Sequence, residues 1–195
     1  MEFSLHFYLL RQPYIQRECY IRLLKLKARD LSRDQIRWLI KIQDPDFYNH
    51  GGIDLQTPGA GLTTITQSII KKLYFKKFKL GVKKFKQSLI AVFIVDKLLE
   101  KDKQLTIFIN SVYMGNLQGK DLFSFNDAAK AYFDKEFSQL TDNEYLSLVA
   151  MLLGPDKFNT LTNAEENEKR VVRIKVVISG EYLPRELSDV YYHRI

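Results

Sequence analysis

Three times the sequence sets a hydroxyl residue three positions ahead of a glutamine or glutamate at the head of an apolar run. Ser32-Arg-Asp-Gln35 precedes QIRWLIKI, Thr64-Ile-Thr-Gln67 precedes QSIIKKLYF, and Thr141-Asp-Asn-Glu144 precedes EYLSLVAMLL. In this pattern the hydroxyl accepts from the backbone N–H three residues on, and the longer side chain reaches back to the first N–H. Two donors that a helix start leaves unpaired are thereby satisfied. Gly154-Pro155 closes the third run. Phe85 to Glu100 is apolar on nearly every side between Leu89 and Val95, which predicts a central helix buried all round and too short to cross a bilayer. Asp102–Met114 and Ala164–Ile178 are further predicted helices, the second closed by Gly180 and Pro184. The segments 44–62, 115–123 and 155–163 read as irregular. Strand alternation is scarce, with at most a short hairpin near Asn49–Leu55. These signals predict a mainly α single domain over residues 31–195, preceded by a helical extension over 1–30.

A chain of 195 residues is long enough for one core and short for two. Its 11 tyrosines and 13 phenylalanines suit a thick core or an apolar groove, and its formal charge of +7 favours anionic partners. The lone Cys19 cannot form an internal disulfide. With His6, His50 and His193 far apart, no metal-ligand spacing is visible. The apolar runs of the first 20 residues are broken by Arg11, Pro13 and Arg17, so they read as neither signal peptide nor membrane span.

Chemistry-bearing residues concentrate in QDPDFYNHGGID, residues 43–54. Asp44, Asp46, His50 and Asp54 can act as acid, base or ligand, and paired glycines let backbone approach a ligand. Taken alone, the segment fits a surface loop whose aspartates cap turns more readily. GAGLTTITQ follows, where small residues and hydroxyls at a helix start can hold an anion or simply cap the helix. Eight lysines then lie between Lys71 and Lys86, either a solvated face or a cationic floor for pyrophosphate. No nucleic-acid motif accompanies them, and no nucleic-acid partner is expected.

In order, these segments resemble the peptidoglycan glycosyltransferases of family 51, the transglycosylase modules of class A penicillin-binding proteins and their monofunctional relatives. That family's opening motif, Glu-Asp-x-x-Phe-x-x-His-x-Gly-x-Asp, is matched at Asp44, Phe47, His50, Gly52 and Asp54. Its Gly-Gly-Ser-Thr-Ile-Thr-Gln-Gln motif resembles Gly61–Ser68, with Thr63, Thr64, Thr66 and Gln67, followed by Lys71. Arg-Lys-x-x-Glu lies over Lys83, Lys84 and Gln87, and a later segment matches at Lys101, Leu105, Asn110, Tyr113 and Gly115. The likeness covers about Leu31 to Ile178.

The resemblance implies a lysozyme-like helical fold and a transglycosylase-like domain over 31–195. It implies transfer of the sugar of lipid II, with polyprenyl pyrophosphate leaving, at the outer or periplasmic face of the cytoplasmic membrane. It also implies a divalent cation such as Mg or Mn, a glycan-strand or lipid II partner, contact with the membrane surface, and other cell-wall synthesis proteins nearby. The expected substrate-binding residues are Phe47, His50, Gly52, Asp54, Thr63, Thr64, Thr66, Gln67, Lys71, Lys83, Lys84 and Asn110.

The departures fall on the chemistry. Gln43 and Gln87 stand where the family has glutamates, and an amide cannot exchange a proton near neutral pH. Only six residues separate Asp54 from Gly61, where the family inserts a longer, membrane-touching segment. Ser124 stands where the family tends to place glycine. Catalytic candidates are therefore Gln43, Asp44 and Gln87, with Asp46 as an alternative base. Two readings stay open: an enzyme using Asp44 or Asp46, or a domain that binds precursor, glycan or cell-wall proteins without polymerising.

Overall fold

In a computed structural model that describes residues 25–74, 92, 95–193 and 195, the first capping signal opens helix α1 (Arg33–Gln43). Ser32 Oγ accepts from Gln35 N at 3.1 Å, and Gln35 Oε1 accepts from Ser32 N at 2.9 Å. Ile36, Leu39 and Ile40 recur at helical spacing and turn one face to the core. Asp44 leaves helical geometry with φ −162°, because the following Pro45 disfavours the α conformation in the residue before it.

The second and third signals also form. Thr64 and Gln67 bond reciprocally at 3.1 and 3.2 Å ahead of α2 (Ile65–Tyr74). Thr141 and Glu144 cap α5 (Asp142–Met151). Between them lie α3 (Lys101–Ser111), strands β1 (Tyr113–Leu117) and β2 (Lys120–Phe123), and α4 (Phe125–Phe133). Last comes α6 (Ala164–Ser179), closed by Gly180 in the left-handed conformation. Helix α2 packs on α3, and α6 packs on α5 and α1. Leu39, Phe108, Ile109, Tyr145, Val149 and Ile174 sit at the centre of the core. The fold is mainly α with one short antiparallel hairpin. No described helix is long and apolar enough to cross a membrane.

The hairpin lies elsewhere than expected. Residues 49–55 form turns, and the strands pair at Asn116↔Asp121 and Leu117↔Lys120. Gln118 (φ 52°) and Gly119 (φ 81°) make the two-residue turn, whose twist suits paired strands. Asn116 Oδ1 accepts from Gly119 N at 2.9 Å and helps to close it. The predicted helix Asp102–Met114 stops at Ser111 for the same reason: Tyr113 and Met114 are drawn into β1. Helix α4 was not signalled by periodicity at all. Much of the apolar run Phe85–Glu100 lies outside the described residues, as do His6, Cys19 and the extension up to residue 24. Its end is described: Val95 is buried and leads into a helical turn at Asp96–Leu98. The chain from Lys25 is clamped by Asn110, whose side chain bonds both Leu26 N (3.0 Å) and Leu26 O (2.6 Å).

Ser124, the N-cap of α4, is fully buried with φ 82° and ψ 150°, a region that only glycine enters freely. Its Oγ accepts from Asp127 N at 3.1 Å, which offsets part of the strain. Glycine is nearly as good an N-cap as serine, whereas the strain is worth about 1–3 kcal/mol. Ser124→Gly is therefore expected to stabilise the protein by about 1 kcal/mol, after the entropy that glycine loses on folding. Ser124→Ala keeps the strain, loses the cap and should destabilise. Urea unfolding midpoints of the two variants, moving in opposite directions, check this.

Candidate functional site

Helix α1 delivers Gln43 to the wall of a cavity of about 630 Å³. Opposing pieces of that wall come from the loop before α2 (Gly61, Leu62, Thr63), from α2 (Ser68, Lys71), and from Tyr113 at the start of β1. The wall also carries apolar Phe108 and Val149, and Arg170 of α6. Among the described residues it offers an amide, hydroxyls and two cations, and no carboxylate.

The residues next to Gln43 have a different task. Asp44 is 0% exposed. Its Oδ1 is 2.9 Å from His50 Nε2, and its Oδ2 accepts from Ile65 N at 2.8 Å, the first N–H of α2. His50 Nδ1 accepts from Gly52 N at 3.0 Å, so its proton sits on Nε2 and is donated to Asp44. Gly52 O in turn accepts from Thr64 Oγ1 at 2.7 Å. One chain of hydrogen bonds thus ties the end of α1, the glycine loop and the start of α2. A carboxylate at a helix N-terminus also faces the positive end of the helix dipole. The network fixes where Gln43, Thr63 and Lys71 stand relative to one another.

The remaining expected site residues divide in the same way. Thr63 and Lys71 line the cavity with Gln43. Phe47 is fully buried in the core, with Lys101 Nζ 4.9 Å from its ring centre. Thr66 Oγ1 donates to Gln104 Oε1 at 2.7 Å, Gln67 caps α2, and Asn110 holds Leu26. Asp46 accepts from Asn49 Nδ2 at 2.7 Å. Neither Asp44 nor Asp46 is part of the cavity wall. Lys83, Lys84 and Gln87 lie outside the described residues.

Asp54 Oδ1 accepts from Gln56 N and Thr57 N, at 2.9 and 3.0 Å. Burial pushes its carboxyl up, yet those N–H groups and the Thr57 side chain bring the net pKa below the ordinary aspartate value. The stability this adds is present above about pH 4 and is lost as pH falls through the depressed pKa. The described wall carries Lys71 and Arg170, and no cluster of three metal-ligating side chains occurs among the described residues.

Two participants carried no sequence signal. Gly59 N donates to Glu186 O at 2.9 Å and Gly61 N to Leu187 O at 2.8 Å, so the segment after α6 lies along the short loop before α2. A side chain at Gly59 would meet Pro184 at 2.9 Å, and Val190 from the same segment joins the cavity wall. Arg170 is the second. It reads as one charge among several on a helix, and only its packing against Phe158 and Tyr192 reveals it as buried.

A family model described as Transglycosylase matches residues 17–179. Penicillin-binding protein 1A of Neisseria cinerea is 29% identical over 145 residues, covering 68% of this chain and 18% of that protein. Penicillin-binding protein 2a of Streptococcus pneumoniae is 28% identical over 154 residues, covering 74% of this chain and 20% of that protein. The chain thus spans about a fifth of the length of these relatives. Residues 180–195 lie beyond the family match.

Proposed function

This chain belongs to the transglycosylase family, and from that premise we propose that its cavity binds lipid II or a nascent glycan strand without extending the strand. The observation that carries the reading is the wall of the cavity. It presents Gln43 at the end of α1, opposite hydroxyls and Lys71, with no carboxylate among the described lining residues.

Strand extension needs a group that takes the proton from the attacking sugar hydroxyl as it bonds to the anomeric carbon and pyrophosphate departs. An amide cannot take it, and general-base assistance is worth roughly 10²- to 10⁴-fold. Asp44 is a poor substitute, since its two oxygens are committed to His50 and to the first N–H of α2. Asp46 is bonded to Asn49 and stands outside the wall. What the wall retains is recognition. Lys71 attracts an anionic head group, Gln43 and Thr63 offer hydrogen bonds to sugar, and Tyr113 offers an aromatic face that is 37% exposed.

In this reading residues 31–195 form the transglycosylase-like part, acting at the outer or periplasmic face of the membrane beside other cell-wall synthesis proteins. Parallel measurements of lipid II binding in lipid nanodiscs and of strand formation test it. Saturable binding with no strand product is the expected result. Strand formation by the unmodified protein would overturn it.

A further inference from the structure

Arg170 stands in the cavity wall at 2% exposure, and its Nε and Nη1 are buried without a hydrogen-bond partner among the described residues. Aromatic groups surround it instead. The guanidinium carbon is 4.5 Å from the Tyr192 ring centre and 5.9 Å from that of Phe158. Burial lowers its pKa, and the other groups acting on its charge are tyrosine phenols and Arg173, with no carboxylate among them. A buried cation without a counter-charge is costly, by several kcal/mol. A trapped water can satisfy an N–H but cannot neutralise the charge. The planar guanidinium fork is matched to phosphate and carboxylate oxygens.

The side chain lying on Arg170 is itself strained. Tyr192 is 1% exposed and has φ 56°, which a bulky residue adopts only when its surroundings force it. Its segment lies beyond the family match and runs past the same cavity, to which it contributes Val190. A cation with no counter-charge among the described residues and a strained aromatic cover thus meet at one point of the wall.

We propose that Arg170 and Tyr192 form a covered anion subsite, in which a phosphate or carboxylate group of the ligand takes the guanidinium over from the Tyr192 ring. The exchange neutralises Arg170 and lets Tyr192 leave its strained conformation. The proposal rests on the reading of this cavity as a ligand site, and is independent of whether strands are made.

The test follows the Nε–Hε signal of Arg170 in ¹⁵N-arginine-labelled protein, assigned by its loss in Arg170→Met and Arg170→Lys. Inorganic pyrophosphate is titrated in one series and acetyl-D-alanyl-D-alanine in another. A saturable shift in either is expected. The series that responds identifies the anion as phosphate or carboxylate. Tyr192→Leu keeps an apolar side chain and removes the aromatic face that holds the guanidinium, so it should tighten binding about fivefold. An Arg170 signal unmoved by both ions through the millimolar range, with lipid II still bound, overturns the subsite alone. Loss of lipid II binding as well would sink the reading of the cavity. A shift that Tyr192→Leu leaves equally strong overturns the role of the cover.

Discussion

Replacing both Gln43 and Gln87 by glutamate is expected to raise strand formation from lipid II by roughly 10²- to 10⁴-fold, the range that a positioned general base supplies. Gln43 is the residue through which this acts in the described structure. It ends α1 at the cavity wall, held there by the network anchored on Asp44, so a carboxylate of nearly the same size would occupy the same place. Gln87 enters through the family resemblance, as the glutamate position of the Arg-Lys-x-x-Glu motif. A negative charge at the last turn of α1 opposes the helix dipole, but that costs only about 0.3–1 kcal/mol. The gain in turnover is an effect several times larger, and a thermal melt of the variant separates the two. If the parent already makes strands as fast as the double variant, a group other than Gln43 takes the proton and the binding-only reading fails. If the variant binds lipid II and still makes none, the shape of the site rather than a missing base limits it.

Asp44→Ala is expected to destabilise the fold by roughly 3–5 kcal/mol, because it strips the partners from two buried donors at once. His50 Nε2 and Ile65 N would both be left unpaired away from water. Asp44→Asn keeps one acceptor oxygen and nearly the same volume, so an intermediate loss is expected. Urea unfolding of the parent and the two variants, followed by circular dichroism, measures the series. A positioning role predicts that lipid II binding weakens in step with stability, since the same bonds place Gln43 beside Thr63 and Lys71. The contrary result would be an Asp44→Ala protein as stable as the parent that fails only in a chemical step. Asp44 would then act on substrate directly.

The helix starts were legible because their signals are short-range. The hydrogen bonds of a capping box join residues three apart, and Ser32–Gln35, Thr64–Gln67 and Thr141–Glu144 each form as read. Helix α4 escaped notice because its cap is Ser124 followed by Asp127, without the longer glutamate or glutamine that completes the reciprocal pattern. The hairpin was misplaced because strands of five and four residues leave little alternation to detect. Its turn residues Gln118 and Gly119 sit in a stretch that reads equally as loop. The order of the motifs likewise places Gln43 where the resembled family has a glutamate.

No stretch of chain announced that most of the motif residues build the site rather than face it. Asp44 reaches Ile65 at a sequence separation of 21, and Asn110 meets Leu26 at a separation of 84. Nor did anything mark Arg170 as different from Arg173, three residues along the same helix. A polar group's role depends on whether it keeps water, a neutral partner or a counter-charge. Local sequence sets which bonds a residue can make with its neighbours. Burial is settled only when distant elements close around it.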